Sequence, residues 1–313
     1  MKIIDFTARH VEQAAQIAKL NYDEERKSVP ALPSIDKLPD LTPYAENGLG
    51  VAAEDGGELL GFLCSVPPFK NAFRSTDATG VFSPMGANGA VGQNRAEAFA
   101  RMYQAAGEKW AAAGASSHAV CLYAHDKQAQ EQFFRYGFGL RCIDAVRAMD
   151  EIGAPLCEAY TFSELAPEER FKLFPFVKLF NQHFLKSPTF MIKPDWTKAE
   201  FLEGVKDDRF FIARKNGEIV AFLNAGYAGE TFICDTPGYI HADGAYCLPE
   251  HRGKGIMQVL LQLAALALKA EGYTYLGVDF ESINPAAYGF WLKYFTAYTH
   301  GVVRRIDEHV LKK

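Results

Sequence analysis

A short basic loop rich in glycine lies in the segment CLPEHRGKGIMQVLL (247–261). Pro249 ends an apolar, strand-like run, and the glycine loop (251–257) leads directly into a long apolar helix pattern. A helix N-terminus presents unsatisfied N–H groups and a partial positive charge, and glycine lets the backbone approach an anion closely. Arg252 and Lys254 add positive charge, so the loop predicts a phosphate-binding site.

The spacing of this loop excludes two common nucleotide-binding motifs. It contains neither the GxxxxGK[ST] pattern of a P-loop nor the GxGxxG pattern of a dinucleotide-binding fold. The alternative to a phosphate site is a helix that simply begins after a basic turn.

Composition restricts the possible partners. The chain has 313 residues and a formal net charge of −5, without the basic patch of a nucleic-acid binder or a polybasic membrane-binding run. Asp5 interrupts the apolar start, so no signal peptide is expected, and no stretch reaches the ~20 apolar residues of a membrane span. The six cysteines contain no CxxC pair, which favours reduced, buried thiols and a cytoplasmic protein. We expect no membrane and no nucleic-acid partner.

An internal repeat organises the chain. The segment VAAEDGGELLGFL (51–63) matches FIARKNGEIVAFL (211–223), and each reads as a β-hairpin. Further matches follow at a nearly constant offset, with Gly114, Val120 and Arg147 falling on Gly272, Val278 and Arg305. A period of this length predicts a duplicated domain, with one copy at 1–150, a linker at 151–158 and a second copy at 159–313.

Each copy is expected to have the order β-α-α-β-β-β-α-β-α-β, which gives a mixed sheet covered by helices on both faces. In the second copy, one face of the helix after the glycine loop collects apolar residues at helical spacing. They are Ile256, Val259, Leu260, Leu263, Ala264 and Ala267. Gly272 is a suitable residue to end that helix.

The segment PEHRGKGIMQVLL resembles the pyrophosphate-binding signature of the GNAT (GCN5-related) N-acetyltransferases, Arg/Gln-x-x-Gly-x-Gly/Ala. Arg252 and Gly255 occupy its first two slots, and Met257 replaces the last small residue. The resemblance implies an α/β protein of two tandem GNAT-like domains, each a mixed, mostly antiparallel sheet flanked by helices on both faces. It implies an acyltransferase that moves an acetyl group from acetyl-CoA, a co-substrate, to an amine of a small molecule or peptide by direct attack, without a metal.

A second family motif resembles FESINPAAYGFWLKYFTAY (280–298). Asn284 and Ala287 fit it, and Trp291 occupies a slot where many members have tyrosine. The resemblance implies that Asn284 forms a hydrogen bond with the pantetheine arm of CoA. The alternative is that Asn284 is an ordinary helix cap. The residues that the resemblance assigns to acetyl-CoA are Cys247, Leu248, Arg252, Gly253, Lys254, Gly255, Ile256, Met257, Asn284 and Trp291.

The resemblance also implies catalytic roles. A backbone N–H near Cys247 or Leu248 would bind the thioester oxygen, with the Cys247 side chain incidental. His241 occupies the slot of a general base, and Asp243, two residues along the same strand face, would orient or replace it. Tyr288 is the candidate acid, followed by Tyr294. The alternatives are a histidine that lines a cleft without chemistry and a tyrosine that only packs.

Two acidic residues near the end of the next strand, Asp279 and Glu281, are candidates to bind a cationic amine, and the alternative is that both are solvated charges.

The first copy departs from the signature. Its corresponding segment, Gln93 to Glu97, lacks the glycines and carries a carboxylate where phosphates would bind. An earlier run with Gly86, Gly89 and Gly92 is an alternative loop. We expect a degenerate copy that supports the fold and forms one wall of the substrate cleft. Two other functions remain open, a tandem GNAT-fold aminoacyl or acyl transferase and a non-catalytic acyl-CoA sensor or scaffold.

Overall fold

The computed structural model describes residues 1–74, 77–227 and 229–312. The elements of the first half are β1 (Lys2–Asp5), α1 (Val11–Ser28), α2 (Thr42–Glu46), β2 (Val51–Asp55), β3 (Glu58–Leu63), β4 (Gly80–Ser83), β5 (Asn88–Ala90), α3 (Arg95–Ala112), β6 (Ser117–Tyr123), α4 (Lys127–Arg135) and β7 (Gly139–Ala148). Those of the second half are β8 (Thr161–Glu164), α5 (Phe174–Leu185), α6 (Lys198–Gly204), β9 (Arg209–Lys215), β10 (Glu218–Gly226), β11 (Tyr239–Cys247), α7 (Ile256–Ala270), β12 (Tyr275–Glu281), α8 (Pro285–Trp291) and β13 (Thr296–Arg305). Short 3-10 helices lie at Ala8–His10, Ala72–Arg74, Pro167–Leu173, Phe232–Asp235, Pro249–His251 and Glu308–Lys312.

The chain forms two compact units. The first unit comprises Met1–Asp144, Glu281–Ile283 and Ala297–Lys313, and the second comprises Ala145–Phe280 and Asn284–Thr296. Almost all of β13, the last strand of the second sequence repeat, therefore belongs to the first unit. The predicted limits 1–150 and 159–313 refer to the repeat in sequence and stay a prediction.

The strands of the second unit follow the order β12-β11-β10-β9-β8. The contacts are antiparallel except between β11 and β12, which run parallel. The hairpin between β9 and β10 turns at Asn216 and Gly217, both with positive φ, as the Asn-Gly pair predicts. The predicted order of elements for this copy is confirmed, because its mixed sheet and helices match the expected pattern.

Helix α7 packs an apolar face into the second unit. Its buried residues are Ile256, Leu260, Leu261, Ala264, Ala265 and Leu268. The predicted face was therefore partly wrong, since Val259, Leu263 and Ala267 are only half-buried. Nearly every position of this helix is apolar, so periodicity alone could not define which side is covered. Gly272, with φ 95°, ends the helix as predicted.

The first copy has the same order of elements with one change. The strand that corresponds to β11 is divided, since β4 pairs with β6 in parallel whereas β5 pairs with β3 in a separate four-stranded sheet. Strand β13 pairs antiparallel with β6, from Thr299 opposite Tyr123 to Arg305 opposite Ser117. Trp110, Phe99 and Met102 of α3 lie in the buried core of this unit.

None of the helices in the described ranges combines the length and the apolar character needed to cross a membrane.

Candidate active site

The second unit contains an opening between two parallel strands. Strands β11 and β12 are paired only from Tyr239 to Ala242, opposite Tyr275 to Val278. Beyond Ala242, β11 continues on β10 as far as Cys247. The register of β10 and β11 shifts here, so that two residues, Ala242 and Asp243, lie opposite one residue of β10. Such a bulge bends a strand, and the two parallel strands separate at this point.

The glycine loop lies at the end of β11 and ends at the N-terminus of α7. Gly253 and Gly255 have φ values of 73° and 79°, a region that residues with a Cβ rarely adopt. No side chain caps α7. Within the described part of the chain, the N–H groups of residues 253–257 donate to no acceptor. A row of free N–H groups at a helix N-terminus is the arrangement that binds phosphate.

Two basic side chains flank these N–H groups. Arg252 donates from Nε to the carbonyl oxygen of Cys247 at 2.9 Å, and its guanidinium lies over the Tyr246 ring. Lys254 donates from Nζ to the carbonyl oxygen of Glu250 at 2.7 Å. Both side chains are exposed and neither forms an ion pair with a described carboxylate, so their charge is available to an anion.

The linker packs beside the glycine loop, a contact that the sequence did not predict. A Cβ on Gly255 would lie 2.6 Å from Pro155 Cγ, and the Cys157 thiol donates to the Lys254 carbonyl oxygen at 3.2 Å. Gln258 donates from Nε2 to the carbonyl oxygen of Gly153 at 3.1 Å. Gly255 is therefore required twice, for its positive φ and for the close approach of Pro155.

The next feature of the site is the backbone N–H of Cys247. Leu248 donates its N–H to the Val220 carbonyl oxygen, and antiparallel pairing alternates, so the N–H of Cys247 points away from β10. Burial raises the pKa of the Cys247 thiol to about 11, which keeps it protonated and a poor nucleophile at neutral pH. The backbone N–H of Cys247 is therefore a hydrogen-bond donor turned away from β10, whereas its thiol is protonated at neutral pH.

His241 and Asp243 contact each other, as their spacing predicts. His241 Nδ1 lies 2.8 Å from Asp243 Oδ1, and His241 Nε2 lies 3.5 Å from Oδ1 of Asp279 on β12. His241 is only 2% exposed, whereas the Asp279 side chain is 33% exposed. The imidazole is thus held between two carboxylates, and Asp279 connects it with solvent.

Asp208, just before β9, was not identified from the sequence. Asn224 donates from Nδ2 to Asp208 Oδ2 at 2.9 Å. A Cβ on Gly226 would lie 2.4 Å from both Asp208 Oδ1 and Asp243 Oδ2. Burial, and next the negative charge of Asp243, raise the pKa of Asp208 to about 6. The residue lies far from the motif in sequence, and only the glycine at 226 hinted at a close approach.

Helix α8 carries the remaining predicted residues. Asn284 Oδ1 accepts from the Ala287 N–H at 3.5 Å and lies 3.3 Å from His183 Nε2, so the helix cap is present and the pantetheine contact stays a prediction. Trp291 is buried against Phe295, with ring centroids 5.4 Å apart.

The two candidate tyrosines and the second acidic residue lie in different surroundings. Tyr288 is 44% exposed, and its ring packs edge-on against Phe280. Tyr294 is half-buried. Glu281 belongs to the first unit, where it pairs with Arg141 at 3.3 Å. Its charge is thus neutralised there, which leaves Asp279 as the acidic residue on β12 beside His241.

The corresponding opening in the first unit is occupied by its own side chains. Ala90 is the counterpart of Cys247, because Gly61 faces Ala90 as Ala221 faces Cys247. Asn21 Oδ1 accepts from the Ala90 N–H at 3.1 Å.

Other side chains close the rest of that opening. Asn88 on β5 donates from Nδ2 to the Cys121 carbonyl oxygen of β6 at 3.1 Å. At the N-terminus of α3, the Ala96 N–H donates to Gln128 Oε1, and Arg95 pairs with Glu24 and Asp126.

Comparisons with known proteins agree with this arrangement. Residues 175–295 match the model of the Acetyltransferase (GNAT) family. A GCN5-related N-acetyltransferase from Sphaerobacter thermophilus aligns with a TM-score of 0.58 and 11% identity, over 97% of this chain and 95% of its own. The GCN5-related glucosamine N-acetyltransferase region of a fungal multi-domain GH3 β-N-acetylglucosaminidase aligns with a TM-score of 0.51 and 13% identity, over 96% of this chain and 38% of that one. At these identities the likeness establishes the fold alone. No curated protein matches the sequence.

Proposed function

Residues 175–295 match the acetyltransferase (GNAT) family, and on that premise we propose that this chain is an acyltransferase that transfers an acetyl group from acetyl-CoA to an amine. The observation that supports this best is the row of free N–H groups at residues 253–257, next to the opening between β11 and β12. A pyrophosphate requires such donors, and an extended thioester arm requires such an opening.

In this proposal the glycine loop binds the pyrophosphate of acetyl-CoA. The N–H groups of residues 253–257 donate to its oxygens, and Arg252 and Lys254 neutralise its charge. The residues of the opening then hold the pantetheine arm, with Asn284 at the start of α8 as a candidate contact. Acetyl-CoA supplies an electrophilic carbonyl group at the end of that arm.

The N–H of Cys247 is the proposed donor to the thioester oxygen. It points away from β10 into the opening, and Arg252 holds the carbonyl oxygen of the same residue at 2.9 Å. A fixed donor stabilises the charge that develops on this oxygen when an amine attacks. Since the donor is a backbone group, replacement of the side chain by alanine should leave it in place.

The proposed base is His241. An amine must lose its proton to attack, and alkyl ammonium ions have a pKa near ~10.4, so a neighbouring base is required. Asp243 contacts Nδ1 and orients the ring, and Nε2, 3.5 Å from Asp279 Oδ1, is the proposed proton acceptor. Because His241 is buried, the proton reaches Nε2 from the side of Asp279, directly or through water. Asp279 also attracts a cationic acceptor.

Tyr288 is the proposed acid for the departing thiolate. Its side chain is 44% exposed, and the residue lies one turn after Asn284 at the start of α8. The buried Trp291, in the slot that many GNAT enzymes give to tyrosine, carries only an indole N–H, which is too weak an acid to protonate a thiolate.

A thiol-release assay tests the function. Acetyl-CoA is incubated with panels of small-molecule and peptide amines, and free CoA thiol is measured. The substitution His241→Gln should lower kcat by roughly 10²–10⁴-fold without loss of acetyl-CoA binding, and high pH should partly restore the rate because more amine is then neutral. Cys247→Ala is the control that should keep the wild-type rate. Binding of acetyl-CoA without turnover on any amine would instead favour a non-catalytic sensor, and release only from longer or aminoacyl thioesters would favour the other transferase class.

A further inference from the structure

The carboxylates of Asp208 and Asp243 converge on the α-carbon of Gly226. Asp208 Oδ1 and Asp243 Oδ2 each lie 2.4 Å from the point where a Cβ of residue 226 would be placed. The two oxygens can therefore be no farther apart than twice that distance. Only glycine leaves room for both, so the absence of a side chain at 226 permits this close approach.

The described residues offer no hydrogen-bond donor to Asp243 on this side. Its Oδ1 contacts His241 Nδ1, whereas its Oδ2 is buried without a hydrogen-bond partner among the described residues. A buried carboxylate oxygen without a donor is costly. Asp208 Oδ2 already accepts from Asn224, so Asp208 Oδ1 is the atom that faces Asp243.

We propose that Asp208 is a positioning residue for the His241–Asp243 pair, and that it shares one proton with Asp243 from the side opposite the imidazole. The O–H of Asp208 donates from Oδ1 to Asp243 Oδ2, and Asp243 Oδ1 remains free to accept from His241 Nδ1. The shared proton keeps the two carboxyl groups at a single negative charge and fixes the orientation of Asp243.

The charges around this group agree with a shared proton. Asp208 faces Asp243 from β11 and the neutral amide of Asn224 from β10, and the neighbouring Asp207 is exposed. The cation Arg170 donates to the backbone carbonyl oxygen of Asp208 rather than to its carboxyl group. The same surroundings raise the pKa of Asp208 to about 6, with burial as the main cause and Asp243 as the next.

Two further ionisable groups, His241 and Asp279, lie on the imidazole side of Asp243. His241 contacts Asp243 at Nδ1 and Asp279 at Nε2. When the shared proton is lost, two adjacent negative charges face the ring from the Nδ1 side, which favours the imidazolium form. That form cannot accept a proton at Nε2, so we expect the proton on Asp208 to support the proposed role of His241 as a base chiefly below about pH 6, where Asp208 keeps it.

This inference rests on the proposed function for its catalytic meaning, but its test does not depend on turnover. Carboxyl groups are titrated by NMR in protein labelled with 13C at aspartate Cγ, and Asp208 is assigned by the signal that Asp208→Asn removes. We expect the Asp208 signal to titrate near pH 6 in the wild type and at lower pH in Asp243→Asn. An unchanged midpoint in Asp243→Asn would overturn the shared proton, whether or not an acceptor amine is known.

Activity gives the second readout. Asp208→Asn keeps a donor to Asp243 and should hold kcat within about threefold, whereas Asp208→Ala lacks the donor and should lose roughly tenfold or more, at the low end of acid–base effects. Asp207→Asn, which removes the neighbouring exposed carboxylate, is the matched control and should leave kcat unchanged. Equal losses of kcat in Asp208→Asn and Asp208→Ala would refute a positioning role, because the amide N–H would then fail to replace the O–H donor of Asp208. If the wild type turns over no amine, the proposed function fails and the NMR titration still decides this inference.

Discussion

The Asn21 side chain forms hydrogen bonds with both backbone groups of Ala90. Its Oδ1 accepts from the Ala90 N–H and its Nδ2 donates to the Ala90 carbonyl oxygen, each at 3.1 Å. This is the N–H whose counterpart in the second copy, at Cys247, points away from β10. The two copies therefore have opposite states at the same position of the fold, one satisfied by its own side chain and one available to a ligand.

One acetyl-CoA should bind per chain. The first copy has no free N–H at Ala90, and its α3 N-terminus is bonded to Gln128 and flanked by acidic partners of Arg95. The second copy has free donors at residues 253–257. Isothermal titration calorimetry should give a stoichiometry near one. Saturation at two would mean that the first copy also binds, and that Asn21 yields its place to the ligand.

The hydroxyl of Tyr288 should be needed for turnover but not for folding. Tyr288→Phe keeps the ring that packs on Phe280 and removes only the hydroxyl, so kcat should fall by roughly 10²-fold. The side chain is 44% exposed, and the free energy of unfolding should change by less than about 0.5 kcal/mol. Tyr294→Phe is the matched control. If Tyr294→Phe lowers kcat and Tyr288→Phe does not, the acid has been assigned to the wrong tyrosine.

The fold could be predicted in large part because its signals are local. The glycine turns of the hairpins, the stop at Gly272 and the repeat itself all depend on nearby residues. The membership of β13 in the first unit could not be predicted, because strand pairing across such a distance leaves no local pattern. The buried face of α7 was ambiguous because most of its positions are apolar.

The candidate site likewise contains residues that the sequence could predict and residues that it could not. His241 and Asp243 were found together because they are two residues apart on one strand. Asp208 and Pro155 were missed, because they reach the site from other parts of the chain and carry no motif. Gly226 and Gly255 were the available signals, since each permits an approach that a Cβ would block, but a glycine does not indicate which residue approaches it.

The stability of the protein should depend on Asp208 in a defined direction of pH. Its pKa is raised from 3.8 to about 6 in the folded state, so the folded state binds the proton more tightly than the unfolded chain. The stability that this group contributes is therefore complete below about pH 3.8 and is lost as pH rises through about 6. The substitution Asp208→Asn removes the ionisable carboxyl group, so this loss of stability with rising pH should disappear.

Thermal unfolding measured from pH 4 to pH 8 checks this. Asp208→Asn should match the wild type near pH 4 and exceed it at pH 7 and above by about 1–2 kcal/mol, a value reduced for the partial exposure of the group. Asp207→Asn, the exposed neighbour, should show no comparable rise. An advantage of Asp208→Asn that is constant across this range would mean that the carboxyl group does not titrate there.

The glycine loop is the centre of the proposed function, and its test must avoid Gly255. Any side chain there would collide with Pro155 and would strain a backbone with φ 79°, so a loss of binding would have two explanations. Arg252 and Lys254 are exposed, and both can be reversed in charge without a steric clash. Lys178→Glu with Lys269→Glu makes the same change of charge at two exposed positions outside the loop.

The most direct measurement is therefore the affinity of the folded variant Arg252→Glu with Lys254→Glu for acetyl-CoA, by calorimetry. We expect a loss of at least about 100-fold, because two contacts from charged groups of about 1.5 kcal/mol each are removed and two anions face the phosphates. The Lys178→Glu, Lys269→Glu control should bind like the wild type. Wild-type affinity in the Arg252→Glu, Lys254→Glu variant would contradict the assignment of the glycine loop to acetyl-CoA.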